Sequence, residues 1–168
     1  MIHTSARSLL ISISALGFFG LAGGVQAASL YDLDDYPAVA RLVGQITSRQ
    51  VGSDIAAAGD IDGDGYGDFI VGESAGQSES AYGRFHIIYG TTAGYANGQF
   101  PAVADATFIG FSDRDILGDS VDGVGDINGD GYDDIIVGSP GIQNGAAYIL
   151  FGQATRFSGS ADIETEAD

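Results

Sequence analysis

Asp60-Ile61-Asp62-Gly63-Asp64-Gly65-Tyr66-Gly67-Asp68 is followed 66 residues later by Asp126-Ile127-Asn128-Gly129-Asp130-Gly131-Tyr132-Asp133-Asp134. Oxygen-bearing side chains stand at positions 1, 3, 5 and 9 of each stretch, and Gly65 and Gly131 hold position 6, where the chain must turn sharply. A hard divalent cation takes about six to eight oxygens at roughly 2.3–2.6 Å, and carboxylates at alternate positions of a tight loop supply them. The pattern suits Ca2+. Its expected ligands are Asp60, Asp62, Asp64 and Asp68 in the first loop and Asp126, Asn128, Asp130 and Asp134 in the second, with Tyr66 and Tyr132 each adding a main-chain carbonyl. Asp-Gly clusters also make plain solvated turns. A turn needs no further carboxylates, however, and four negative charges in nine residues repel one another unless neutralised.

An EF-hand uses the same odd-numbered ligands but closes on an acid at position 12 and is flanked by helices. Here position 12 is Val71 or Val137, inside the apolar β-branched runs Asp68-Phe69-Ile70-Val71-Gly72 and Asp134-Ile135-Ile136-Val137-Gly138. Such runs read as strands. The expected site is therefore a β-hairpin loop.

The 168 residues suit one domain of ordinary size. With 23 acidic residues against 6 basic ones, all arginine, the net charge is −17. That surface repels nucleic acid and anionic membrane, so neither is expected as a partner. Many glycines (27) beside 45% hydrophobic residues fit short strands and tight turns. Cysteine is absent, so no disulfide staples the fold, and bound calcium is the natural substitute.

Residues 1–27 read as an export signal: a short basic start at Arg7, an apolar run from Leu9 to Leu21, and Val25-Gln26-Ala27 before the cut. An uncleaved anchor is the alternative, against which stand Ser12, Ser14, Gly17 and Gly20 within a short run. Residues 28–41 form an extended N-terminal segment. Two repeats follow, 42–105 and 106–152, and the tail 153–168 opens what would be a third. Tyr36-Pro37-Ala38-Val39-Ala40 is echoed by Phe100-Pro101-Ala102-Val103-Ala104, Leu42-Val43-Gly44 by Phe108-Ile109-Gly110, and Val51-Gly52 by Leu117-Gly118. The closing strands, Gly83 to Gly90 and Gly145 to Gly152, align once four extra residues are allowed in the first copy.

A repeat of this length with about four short strands is the pattern of a β-propeller blade. Between Leu42 and Gly152 the chain resembles FG-GAP repeats, the blades of the integrin alpha-chain propeller and of many exported bacterial proteins. The calcium loop, the apolar strand after it and the Gly138-Ser139-Pro140 turn carry the likeness. The name-giving pairs are altered: Val51-Gly52 and Leu117-Gly118 replace "FG", and Gly72-Glu73-Ser74 replaces "GAP" in the first copy. The resemblance implies an all-β fold of propeller blades, with calcium bracing strand connections on one face. Two repeats are fewer than the four to eight blades that close a ring. The chain is then either a piece of a longer propeller or a unit that covers its open edges by self-association.

Gly72-Glu73-Ser74-Ala75-Gly76 matches the nucleophile-elbow spacing, but that motif needs a following helix and a later acid and histidine. Ser74 aligns with Pro140, and the downstream histidine, His86, aligns with Tyr148, so catalysis is not expected. His86 reads as a packed or edge residue, and Tyr82, Phe85, Tyr89, Tyr148 and Phe151 as core. The expected function is a secreted, periplasmic or cell-surface calcium-binding module for adhesion, with an extracellular protein or glycan as partner. The alternative is an accessory propeller part of a larger secreted hydrolase. With four carboxylates against three, the first loop is expected to bind calcium more tightly, both with dissociation constants on the order of 10⁻⁴ to 10⁻³ M or tighter.

Overall fold

The computed structural model describes residues 40–45, 49–74, 82–93, 95, 97–111, 115–141 and 144–166. The export signal at 1–27, most of the extended N-terminal segment, and Ala75-Gly76 of the elbow-like motif lie outside the described residues. In chain order the strands are β1 (Leu42–Gly44), β2 (Gln50–Gly59), β3 (Asp68–Ser74), β4 (Arg84–Ile88), β5 (Gly98–Phe100), β6 (Ala106–Ile109), β7 (Ser120–Gly125), β8 (Asp134–Ser139), β9 (Ala146–Leu150) and β10 (Gly159–Asp162). One helical turn, α1 (Ile163–Glu166), follows. No described helix is long and apolar enough to cross a membrane.

The strands form two blade-like sheets. In the first, β2, β3 and β4 run antiparallel in sequence order, with Ile70 opposite Ile87 and Val71 opposite His86. In the second, β7, β8 and β9 repeat the pattern, with Ile136 opposite Ile149. Each acidic loop joins the first two strands of its sheet, so both are hairpin loops, as their flanking apolar runs predict.

The first sheet is completed from the second sequence copy. β6 pairs antiparallel with β4, setting Phe108 opposite Phe85, and β10 adds in parallel outside β6. A separate two-stranded parallel unit, β1 with β5, covers the other face of the first sheet.

Side chains alternate across the first sheet, as the two-residue period of a strand requires. Ile70, Phe85, Ile87, Ala106 and Phe108 face the second sheet and meet Leu117, Val121, Ile135, Val137 and Leu150 in one core. Each large apolar side chain buried there contributes about 1.5–3 kcal/mol. Phe69, Val71 and Ile88 point the other way and pack with Phe100 and Val103. Phe85 and Tyr89 are core as expected, whereas Tyr82 is 38% exposed. It precedes β4 and so lies off the end of the sheet.

The two sheets meet along β2 and β7. A side chain at Gly123 would come within 3.0 Å of the Ala58 backbone, so only glycine lets these strands approach so closely. The Asp54 carboxylate accepts the Val121 N–H at 2.9 Å, and the Ser53 hydroxyl donates to the Gly118 carbonyl at 3.3 Å.

Candidate metal centres

Both loops are wound by the same hydrogen bonds. In the first, Asp60 accepts the N–H groups of Asp64 at 3.0 Å and Gly65 at 2.9 Å, Asp62 accepts that of Asp64 at 3.0 Å, and Asp64 accepts that of Tyr66 at 2.9 Å. In the second, Asp126 accepts from Asp130 at 3.1 Å and Gly131 at 2.9 Å, Asn128 from Asp130 at 2.9 Å, and Asp130 from Tyr132 at 3.0 Å. Gly65 and Gly131 turn through φ +90° and +96°, which a side chain would oppose. These turns fold each loop back on its first aspartate, whose two carboxylate oxygens accept the position 5 and position 6 N–H groups.

The acid at position 9 opens each following strand and ties the loop shut. Asp68 accepts Ile61 N–H at 2.9 Å and Gly90 N–H at 2.7 Å; Asp134 accepts Ile127 N–H and Gly152 N–H, both at 2.9 Å. One carboxylate oxygen each from Asp60, Asp62 and Asp68 lie within 4.8 Å of one another. Burial pushes the Asp68 carboxyl above its usual range, its two N–H donors pull the other way, and the nearby charges of Asp62 and Asp60 raise it further. Such a set of hard, mutually repelling oxygens fits a divalent cation such as calcium. The peptide N–H groups of Tyr66 and Tyr132 brace the loops at position 7. The Tyr66 side chain is exposed, while the Tyr132 ring lies over the first loop, where a side chain at Gly63 would come within 2.7 Å of it.

The surroundings of the two loops differ. Asp133, where the first copy has Gly67, reaches from the second loop to the first: its carboxylate accepts Asp60 N–H at 2.8 Å, and its own N–H donates to the Asp60 carbonyl at 3.2 Å. Gln153 N–H donates to the Ile61 carbonyl at 2.9 Å. Arg156 donates from Nε to Asp62 Oδ2 and from Nη2 to Asp64 Oδ2. Its guanidinium also lies 4.6 Å from the centre of the Tyr89 ring, and the Tyr89 hydroxyl accepts Phe157 N–H at 2.9 Å. In the second loop, Asn128 Nδ2 donates to Asp130 Oδ2 at 2.9 Å.

Of the expected ligands the structure groups Asp60, Asp62 and Asp68, and beside them stand Asp133 and Arg156, which the sequence reading does not include, and Tyr89, which it places only in the core. Asp133 did leave a signal, being an acid where the matching copy has glycine. Arg156 left none, because its contact depends on how the chain returns after β9.

His86 is packed, as expected, but within a polar network. Fully buried, it pairs through Nε2 with Glu73 at 2.8 Å and through Nδ1 with Thr107 at 2.9 Å. Arg49 and Arg84 stand 3.7 and 4.0 Å from the other Glu73 oxygen. Phe100 lies against the imidazole, ring centres 4.6 Å apart. An acid, an imidazole and a hydroxyl are thus aligned, but sealed under an aromatic ring. Ser74 is buried as well, and its N–H donates to the Ser53 hydroxyl at 3.2 Å.

The model of the FG-GAP repeat matches residues 118–150, which hold the second loop and its strands. Integrin alpha-5 of Xenopus laevis is 32% identical over 114 residues, covering 64% of this chain and 10% of that protein. Integrin alpha pat-2 of Caenorhabditis briggsae is 32% identical over 125 residues, covering 74% of this chain and again 10% of the relative. The match thus spans about a tenth of the length of these curated relatives.

Proposed function

This chain is an FG-GAP repeat protein built of β-propeller blades, similar to integrin alpha chains, and we propose that it serves as an exported, non-catalytic binding module whose hairpin loops each hold calcium. The observation that carries this reading is the convergence of Asp60, Asp62 and Asp68 at the mouth of a hairpin whose hydrogen bonding is repeated in the second loop. Bound calcium would supply a fixed double positive charge and no chemistry of its own. Asp60, Asp62, Asp64 and Asp68 would hold it in the first loop, and Asp126, Asn128, Asp130 and Asp134 in the second. The carboxylates at position 9 carry the effect inward, since each also binds the backbone beyond the third strand of its sheet.

The role follows from rigidity. Loops fixed at one end of stacked blades leave the rim to present a recognition surface to an extracellular protein or glycan, in the service of adhesion at a cell surface or in the periplasm. The short span of the match leaves room for an accessory role beside a catalytic domain of a larger secreted protein. Self-association is part of the proposal too: β9 pairs only with β8 among the described residues, and Ile55, 62% exposed, stands at an apolar trough with Leu42, Val51 and Phe69.

Calorimetric titration of the full chain with calcium, repeated on Asp64→Asn and Asp130→Asn variants, tests the reading. Two binding events are expected, each variant weakening one of them. Unchanged calcium affinity in both variants would remove the ligand assignment, and no binding at all would remove calcium from the function.

A further inference from the structure

We infer that Arg156 is a tethered competitor for the cation of the first loop: its guanidinium holds Asp62 and Asp64 in the calcium-free protein and leaves them when calcium enters. The inference rests on the calcium reading of the loops and concerns the regulation of one of them.

Three observations carry it. Arg156 takes one oxygen from position 3 and one from position 5 of the loop, the ligand positions that calcium would use. The Asp62 and Asp64 oxygens that Arg156 takes are the ones the loop's own N–H groups leave free, since the other oxygens accept Asp64 N–H at 3.0 Å and Tyr66 N–H at 2.9 Å. A metal ion approaching them meets the guanidinium. A guanidinium stays charged at every accessible pH, and a divalent ion among the same carboxylates would stand within a few ångströms of it, where like charges repel strongly. The two cations therefore exclude each other. Arg156 is 45% exposed, so its head group can return to water without first being dug out of the core.

The second loop shows what the arrangement replaces. There the donor to the position 5 oxygen Asp130 Oδ2 is the neutral amide of Asn128; in the first loop the donor to Asp64 Oδ2 is the cation Arg156. The fourth carboxylate of the first loop is thus cancelled by Arg156. The affinity advantage expected from its extra charge disappears. Calcium entry also has a structural consequence. Arg156 lies between the loop and Tyr89, whose hydroxyl holds Phe157, so filling the first loop loosens the segment 153–157 that leads into β10.

The test is calcium calorimetry on metal-free full-length protein, reading each loop alone. Asp126→Asn with Asp130→Asn silences the second loop; Asp60→Asn with Asp64→Asn silences the first. Arg156→Gln is expected to raise first-loop affinity about tenfold and Arg156→Lys to leave it within about threefold of the parent, with second-loop affinity untouched. The Arg156 Nε–H resonance should shift when calcium fills the first loop and stay still when only the second is open. Unchanged or weaker first-loop binding in Arg156→Gln, with the second loop still binding, would overturn the inference alone. Calcium binding at neither loop in any variant would overturn the calcium reading and this inference with it.

Discussion

Ile61 and Ile127 hold the same place in two copies of one loop, yet Ile61 is 2% exposed and Ile127 is 52% exposed. Their own loops do not account for this, because the internal hydrogen bonds match almost atom for atom. What covers Ile61 comes from further along the chain: the second loop through Asp133 and the Tyr132 ring, and the segment after β9 through Gln153 and Arg156. No described residue stands in the corresponding place over Ile127. A loop of this kind is wound by its own sequence and finished by its successor. The same asymmetry runs through the sheets, where Glu73 and His86 form a charged network at positions that Ser139 and Tyr148 fill in the second copy.

The largest effect expected from this contrast lies in that network. Glu73→Ala leaves Arg49, Arg84 and His86 around a buried site without their shared acid, and should cost about 3–5 kcal/mol in urea unfolding. Ser139→Ala removes one hydrogen bond, to the Asp115 carbonyl, and should cost about 1 kcal/mol. Equal losses would mean that the two sheets are not differently held after all. Next comes the metal. Calcium at about a hundred times its dissociation constant should add about 2.7 kcal/mol per filled loop over chelator, measured as a rise in melting temperature that Asp126→Asn with Asp130→Asn halves.

Asp133→Ala should cost about 1–3 kcal/mol by leaving Asp60 N–H without its acceptor. Hydrogen exchange should then quicken at Asp60 and stay unchanged at Asp126, which is the sharper test of cover. The smallest effect is alkaline. Burial pushes the Tyr89 hydroxyl up to about 12, against a small pull from the Phe157 N–H. The folded state thus keeps a proton that the unfolded chain gives up near pH 10. Stability from Tyr89 is full below that pH and is lost as the pH climbs from about 10 to about 12. Ultraviolet titration should show a late tyrosine component that Tyr89→Phe abolishes.

The strand-loop-strand units are legible in the sequence. Carboxylates at alternate positions, glycines at the turn and a β-branched run behind them define a strand-loop-strand unit by chemistry that is local in sequence. The matching copies locate the repeated strands for the same reason. Contacts made across the repeats were not legible. Arg156 lies 94 residues from Asp62, and nothing in its neighbourhood marks it. His86 aligned with a tyrosine and so read as ordinary packing, since its partners Glu73 and Thr107 come from two other strands. Tyr82 read as core because an aromatic at strand spacing tells nothing of where the strand starts.

The crossing of β6 into the first sheet sets the unit that can be copied out of phase with the unit that can fold. Duplicating 66 residues never yields a free-standing blade, because Phe85 waits for Phe108 from the next copy. A gene that grows by such duplication adds links to a zip: each new copy seals the edge left by the last and bares one of its own. Inheritance by repetition thus builds in a continuing demand for a neighbour, met by another copy, by closure of a ring or by a second molecule.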